Sequence, residues 1–250
     1  QGGVEMSNLL KMERYQLSHN FLYRCSMIGI FLIGFFIAET YVPEVMGTAG
    51  KAAASLADIF NGMVYDSTFL LILMSSILAL ILGQEFSCRT VDLEIAAGHS
   101  RKAIFFSKAV TYLIAFNVMA LVYPLAGCIR EFSRFGLIDA ESFIYQIVKA
   151  VLYSLLLNSA AFSIAIWICF CLRNSAKAIA VTAVTTFVLS LYLGFGMMLK
   201  FPVAFLPTYQ IREAVSSPAL FQPLPILIGT IWAAALLLLS WYSFRKCELK

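Results

Sequence analysis

Residues 178–199 read AIAVTAVTTFVLSLYLGFGMML, a run without a single charged side chain. An α-helix rises about 1.5 Å per residue, so a run of this length reaches across the roughly 30 Å hydrocarbon core of a bilayer. No water is present there to pair with backbone N–H and C=O groups, so such a segment has to be helical. The stretch therefore predicts a transmembrane helix.

Five other apolar runs of similar length are separated from this one by polar or charged stretches. Of the 250 residues, 61% are hydrophobic and only 13% are charged, and the mean hydropathy is +0.85. A soluble domain has about a quarter of its residues charged, so this chain lacks the polar coat of a water-facing surface. We therefore predict an all-α, polytopic integral membrane protein with about six transmembrane helices in one domain, residues 1–250. The other runs are residues 21–42, 63–83, 103–129, 147–172 and 223–244.

The distribution of lysine and arginine predicts the orientation in the membrane. Twelve of the 18 basic residues lie in loops on the side of the N-terminus, and six lie on the other side. Because cytoplasmic loops carry the excess of Lys and Arg, we predict that both ends of the chain are cytoplasmic. The net charge of +4 is small and does not indicate a nucleic-acid partner. Met6 is the expected native start, so residues 1–5 are expected to be an added segment outside the fold.

The most charged stretch of the chain, residues 84–108, reads QEFSCRTVDLEIAAGHSRKAIFFSK and joins the second and third runs. Its pattern predicts a short cytoplasmic helix. Thr90 can cap the helix start, and Asp92 and Glu94 favour the positive end of the helix dipole. Gly98 suits the left-handed conformation that often ends a helix.

This short helix also carries an apolar stripe. Val91 and Ile95 are four residues apart and therefore share one face. Ser100 can cap the third span, with Arg101 and Lys102 at the level of the lipid headgroups. A charged helix with such a stripe indicates a docking element, although an ordinary interfacial loop helix is the alternative.

The same stretch resembles the permeases of type-2 ABC exporters. That family has a glutamate, an aromatic residue, a threonine four residues later, and then a leucine, a glycine, Ser-Arg and a lysine. A glycine often precedes the threonine in the family, whereas this chain has Arg89 there. The matching residues are Glu85, Phe86, Thr90, Leu93 or Ile95, Gly98, Ser100, Arg101 and Lys108.

The resemblance implies an ATP-driven transporter assembled from several chains. Residues 6–24 would be the interfacial connecting helix of the family, and residues 200–222 would be its re-entrant segment before the last span. Two copies of a separate ATPase subunit would bind ATP and Mg²⁺, and this chain would bind no cofactor itself. Residues 85–98, with Glu94 among them, would be the main docking element, so that closure of the ATPases rocks the permeases and moves a substrate outward.

A pair of permease chains, identical or similar, is expected to form the substrate path. Six helices pack around themselves and leave little room for an aqueous path inside one chain. Small residues allow the close approach that association in lipid requires. The candidate contacts are Gly29 and Gly34 in the first span and Gly194 and Gly196 in the fifth; packing within one bundle is the alternative role for each.

Signatures of an enzyme are missing from the sequence. Residues 47–51 read GTAGK, but a phosphate loop needs four residues between its glycines and Ser or Thr after the lysine. His19 and His99 are far apart and have no ligand partners at metal-site spacing. Cys169 and Cys171 are expected to be packing residues. We therefore predict a transporter subunit without catalytic or metal-binding residues, and the alternatives are a homo-oligomeric channel, a membrane scaffold or, with less support, an intramembrane enzyme.

Ionisable residues near the ends of the spans need a separate interpretation. Glu39, Asp66 and Lys149 lie within a turn or two of the predicted outer boundary, where their side chains can reach the interface. Asn117 and Asn158 lie deeper and are expected to form hydrogen bonds between helices.

The sequence leaves the cargo open between a peptide antibiotic, a lipid, a drug and a polysaccharide. A largely apolar lining with few fixed charges favours an amphipathic or peptide molecule. The resemblance implies a multi-pass protein of a bacterial plasma membrane, in contact with membrane lipids.

Overall fold

The structure, a computed structural model, describes residues 2–44, 52–136, 140–217 and 222–246. Within these ranges the chain forms ten α-helices and one short 3-10 helix. In chain order they are α1 (Gly2–His19), α2 (Phe21–Ile37), the 3-10 helix (Ala38–Tyr41), α3 (Leu56–Tyr65), α4 (Thr68–Ser87), α5 (Thr90–Ala96), α6 (Arg101–Phe135), α7 (Ala140–Leu172), α8 (Ser175–Leu199), α9 (Pro207–Ser216) and α10 (Pro223–Arg245).

Six of these helices are long and apolar enough to cross a membrane: α2, α4, α6, α7, α8 and α10. This confirms the prediction of an all-α, polytopic membrane protein. Helices α6 and α7 have the most buried spans, whereas α2, α8 and α10 have few buried residues. In a bilayer their outward surface contacts lipid or another protein, so its exposure is consistent with the fold.

Both ends of the described chain lie at one end of the bundle, which we call the α5 face. The backbone N–H of Ser175, at the start of α8, donates to Ser87 Oγ at the end of α4. Arg101, at the start of α6, donates to the backbone oxygen of Arg245 at the end of α10, 3.3 Å away. The alternating direction of the six spans therefore brings α1, α5 and the end of α10 together.

The other end of the bundle, the opposite face, is covered by α3 and α9. Arg212 of α9 donates to the backbone oxygen of Tyr65 in α3 and to Thr68 Oγ1 at the start of α4, at 3.1 and 2.9 Å. Arg130 of α6 pairs with Glu39 of the 3-10 helix at 2.9 Å. The topology of the six spans places these loops at the end of the bundle away from the α5 face, and the contacts join the loops to the spans.

The second apolar run, predicted as residues 63–83, does not form a single helix. Its first residues belong to α3, which ends at Tyr65, and the span itself begins at Thr68. Ser55 and Asp58 form a reciprocal capping box at the start of α3, so this amphipathic helix has its own start signal. The prediction missed the break because Asp66 and Ser67 are only a short interruption between two apolar segments.

The N-terminal segment begins within a helix. Helix α1 starts at Gly2 and so includes residues 2–5, and whether these are an added segment stays a prediction. Residues 47–51, which contain the GTAGK sequence, lie outside the described part of the chain. The predicted re-entrant segment, residues 200–222, contains α9, a helix on the opposite face.

Candidate functional site

Helix α1 has a narrow buried stripe that contains a glutamate. Leu9, Glu13 and Leu17 recur every four residues, so they lie on one face of the helix. Their exposed fractions are only 1%, 1% and 6%. A carboxylate in the centre of an apolar stripe has to find a partner, since burying an unpaired charge is costly. The partner lies in α6.

Lys108 of α6 provides that partner and is itself fully buried. Its ammonium group contacts three carboxylates, which come from three different helices. The Nζ atom lies 2.6 Å from Glu13 Oε1 of α1 and 2.9 Å from Glu94 Oε1 of α5, and it also pairs with Glu85 Oε2 at the end of α4. We call Lys108 and these three glutamates, with the tyrosine described next, the Lys108 cluster.

Tyr112 lies one helical turn after Lys108 and completes the cluster. Its hydroxyl donates a hydrogen bond to Glu85 Oε1, while the other oxygen of Glu85 accepts from Lys108. Both oxygens of Glu85 are therefore paired. The phenol ring is 1% exposed, so it also closes the apolar side of the site. The cluster thus joins α1, α4, α5 and α6 at the α5 face.

The charges of the cluster do not balance. Three carboxylates surround one ammonium group, and Glu94 Oε2 has no hydrogen-bond partner among the residues that the structure describes. Burial raises the pKa of Glu13 to about 7, and the nearby charge of Glu85 adds to this, whereas Lys108 opposes it. Lys108 lowers the cost of burying these carboxylates but cannot neutralise them all.

The short helix α5 was predicted from its charges and is present, but its start differs from the prediction. Thr90 is not the capping residue: the helix follows Arg89, whose φ is 57°, and no side chain caps its first turn. This left-handed conformation is one that glycine adopts at no steric cost. It gives a physical reason for a glycine at this position in the proteins that the stretch resembles.

The end of α5 agrees with the prediction. Gly98 has a φ of +93°, and the N–H groups of Gly98 and His99 donate to the oxygens of Ile95 and Glu94. This pair of bonds is the Schellman arrangement that terminates a helix. Ser100 then caps α6 by accepting from the N–H of Ala103, 3.2 Å away, as expected.

The apolar stripe of α5 faces inward, which corrects the prediction that it is a docking surface. Val91 is 2% exposed, and Ile95 packs against the same core. Leu93, by contrast, is 68% exposed. A stripe of two residues predicts one face of a helix but not whether that face contacts the chain itself or a partner. The outward apolar residue of α5 is therefore Leu93.

Two further residues of the stretch that resembles the permeases have structural contacts. Phe86 packs edge-on against Phe170 of α7, with 5.2 Å between the ring centroids. Arg101 binds the end of α10 through the backbone oxygen of Arg245. Both contacts fix α4 and α6 to other spans next to α5.

A polar cleft opens beside the cluster. It has a volume of about 170 Å³ and lies between α1 and α4, with Glu85 and Tyr112 in its wall. Water can therefore come close to Glu85, which is 15% exposed, although Glu13 and Lys108 are enclosed. The other polar lining residues are Gln16, Asn20, Gln84, Cys88 and Thr90.

The four glycines predicted at a dimer contact fall into two groups. A Cβ atom at Gly34 would lie 2.5 Å from the backbone oxygen of Tyr123 in α6, and one at Gly196 would lie 2.2 Å from Val203 Cγ1. These two glycines allow close packing within the chain, which was the alternative interpretation. A Cβ atom at Gly29 or Gly194 would have no neighbour within 4 Å, so only these two remain candidates for a contact between chains.

The ionisable residues near the opposite face have local partners. Glu39 pairs with Arg130, as described above, and Asp66 accepts from the hydroxyl of Tyr41 at 3.2 Å. Lys149 donates to the backbone oxygen of Ser217. These contacts fix the loops of the opposite face.

The two deep asparagines differ from each other. Asn117 of α6 donates to Ser159 Oγ of α7 at 2.8 Å, which is the predicted bond between helices. Asn158 donates to Ser154 Oγ of its own helix, and within the described ranges it has no bond to another helix.

Sequence reasoning missed the roles of Glu13 and Tyr112, and it placed Glu94 at the helix dipole rather than in an ion cluster. The spacing of Leu9, Glu13 and Leu17 was a signal for a buried Glu13.

The chain matches none of the protein-family models and none of the curated proteins with which it was compared.

Proposed function

We propose that this chain is the permease subunit of an ATP-driven exporter of the ABC type-2 class. The observation that carries the proposal is the ionic attachment of α5, through Glu94 and Lys108, to α1, α4 and α6. A short helix that only connects two spans has no need of a buried ion cluster. A helix that receives force from a partner has to be joined firmly to the spans that it moves.

The exposed side of α5 supports the proposal that a partner docks on this helix. Leu93 projects from the α5 face with 68% of its surface exposed, and Arg89 next to it is also exposed. An exposed aliphatic side chain at this place can serve as the anchor that a partner buries in a pocket. The proposed partner is an ATPase subunit, present in two copies, which supplies the ATP and Mg²⁺ chemistry.

A second permease chain, identical or similar, completes the proposed transporter. Helices α2 and α8 have few buried residues, and Gly29 and Gly194 leave open space on their surfaces. Contact through such small residues allows close approach in lipid. The path between the two chains would export a peptide, a lipid or another amphipathic molecule across a bacterial plasma membrane.

Affinity purification of the full chain from its native membrane tests the proposal. We expect an ATP-binding subunit to co-purify, and the Leu93→Asp variant to lose it while remaining inserted. Phe132→Asp is the matched control, because Phe132 is 52% exposed near the end of α6 on the opposite face. The control should retain the partner.

Two outcomes would count against the proposal. Purification of a homo-oligomer without any ATPase would favour a channel or a membrane scaffold. Equal recovery of the ATPase with Leu93→Asp and with Phe132→Asp would show that α5 is not the docking element.

A further inference from the structure

The Lys108 cluster contains more carboxylates than cations. With Lys108 and the three glutamates ionised, the cluster would carry two net negative charges in an enclosed site. Glu13 and Lys108 are 1% and 0% exposed, and Glu94 is 6% exposed. The unpaired Glu94 Oε2 atom is a buried acceptor without a donor among the described residues. This acceptor lacks a donor there, and three carboxylates around one ammonium group leave the site short of positive charge.

We propose that the Lys108 cluster is a proton-binding site, in which a proton held by Glu13 stabilises the docking of α1 against α4, α5 and α6. A protonated carboxyl removes one of the three negative charges and gains an O–H donor. The proton needs no further space in the site. This inference does not depend on an ATPase partner or on a transported substrate.

The groups around Glu13 come from every element at the cluster. They are Glu85 from α4, Glu94 from α5, and Lys108 and Tyr112 from α6. Arg24, the basic residue of α2, donates to the backbone oxygen of Ser18. Among the described residues, Lys108 is the cation that Glu13 contacts, and it is shared with two other carboxylates.

Glu13 is the acceptor of the proton for two reasons. Glu85 receives two hydrogen bonds, from Lys108 and from Tyr112, and both favour its charged form. Glu13 is the most deeply buried of the three carboxylates, at 1% exposed against 15% for Glu85 and 6% for Glu94, and its pKa is raised to about 7 by burial and by the charge of Glu85. The proton therefore leaves Glu13 close to neutral pH.

The direction of the pH effect follows from this raised pKa. The carboxyl of Glu13 has a pKa of about 7 in the docked state and near 4.5 in the free helix. The contribution of its proton to docking is therefore fully present below about pH 4.5 and is lost as pH rises through about 7. The linkage relation then gives an about tenfold larger opening constant for α1 at about pH 8 than at about pH 6.

Infrared difference spectroscopy of the full chain tests where the proton resides. The protein, with ¹³C-labelled glutamate, is held in a detergent without ester groups, and the pH is varied from about 6 to about 8. We expect the C=O band of a protonated glutamic acid to disappear through this range, and to be missing from Glu13→Gln. A wild-type spectrum without this band, or an unchanged band in Glu13→Gln, would overturn the proposal.

Hydrogen–deuterium exchange of α1 tests the effect on docking. After correction for intrinsic exchange, the amides of α1 in the wild-type chain should lose about tenfold in protection between about pH 6 and about pH 8. Glu13→Gln has nearly the same shape but cannot ionise, so its protection should not change with pH. Equal protection of the wild-type chain at both pH values, or a pH dependence retained by Glu13→Gln, would refute it.

Discussion

Replacing Lys108 by methionine would remove the one cation of the cluster while nearly preserving the volume of the side chain. Glu13, Glu85 and Glu94 would then face one another in a site where Lys108 is fully enclosed. Removing one partner of a buried ion pair costs about 3–5 kcal/mol, because the other charge stays buried without compensation. We expect Lys108→Met to lower the free energy of unfolding by an amount in this range.

The loss should depend on pH in a defined direction. Without the lysine, the carboxyls can relieve their repulsion only by binding protons, so destabilisation should be smallest at low pH and increase as pH rises. Reversible unfolding in mixed detergent and SDS micelles, followed by tryptophan fluorescence, measures the free energy. Lys102→Met is the matched control, since Lys102 belongs to the same helix and is exposed. Agreement of the two variants within about 0.5 kcal/mol would refute the reasoning.

Three other changes test separate parts of the structure. Val91→Asp should destabilise the chain by several kcal/mol in the same unfolding assay, because Val91 is 2% exposed; stability equal to wild type would place the stripe outside the core. Gly34→Ala should cost about 1–3 kcal/mol by overpacking against Tyr123, whereas Gly29→Ala should be neutral, and similar unfolding of the two would contradict the close approach. With Cys88 as the single cysteine, an impermeant maleimide should label the protein only after cells are permeabilised, and labelling of intact cells would reverse the orientation.

The sequence predicted the six spans because each is a long run of mainly apolar residues. Length and apolar composition determine that such runs cross the bilayer, and the residues 178–199 needed no tertiary information. Helix ends were harder to predict. The separation of α3 from α4 depends on local features, namely the capping box of Ser55 and Asp58 at the start of α3 and the turn at Asp66 and Ser67 after its end, which a window averaged over about 20 residues does not detect.

The candidate site could be predicted only in part. The charged stretch between the second and third spans correctly indicated α5 and its end at Gly98. It did not reveal that Glu94 is buried, since the positions of Glu94 and Leu93 can be exchanged by a rotation of about 100° of a helix. Glu13 is 95 residues before Lys108 in the chain, and a contact over that distance depends on the packing of α1 against α6.

The Lys108 cluster sets a mechanical constraint that apolar packing alone would not. Apolar surfaces can slide over one another at small cost because dispersion and burial depend weakly on direction. An ion pair in an enclosed site has less freedom, since a shift of α5 that moves Glu94 away from Lys108 leaves the Glu94 carboxylate buried without its cation. A force on Leu93 of α5 would therefore move α6 through Lys108, and α4 through Glu85, rather than detach α5. If Glu13 loses its proton, the same site acquires a further negative charge and the attachment of α1 weakens. The cluster would thus keep α5 joined to the spans while the attachment of α1 changes with pH.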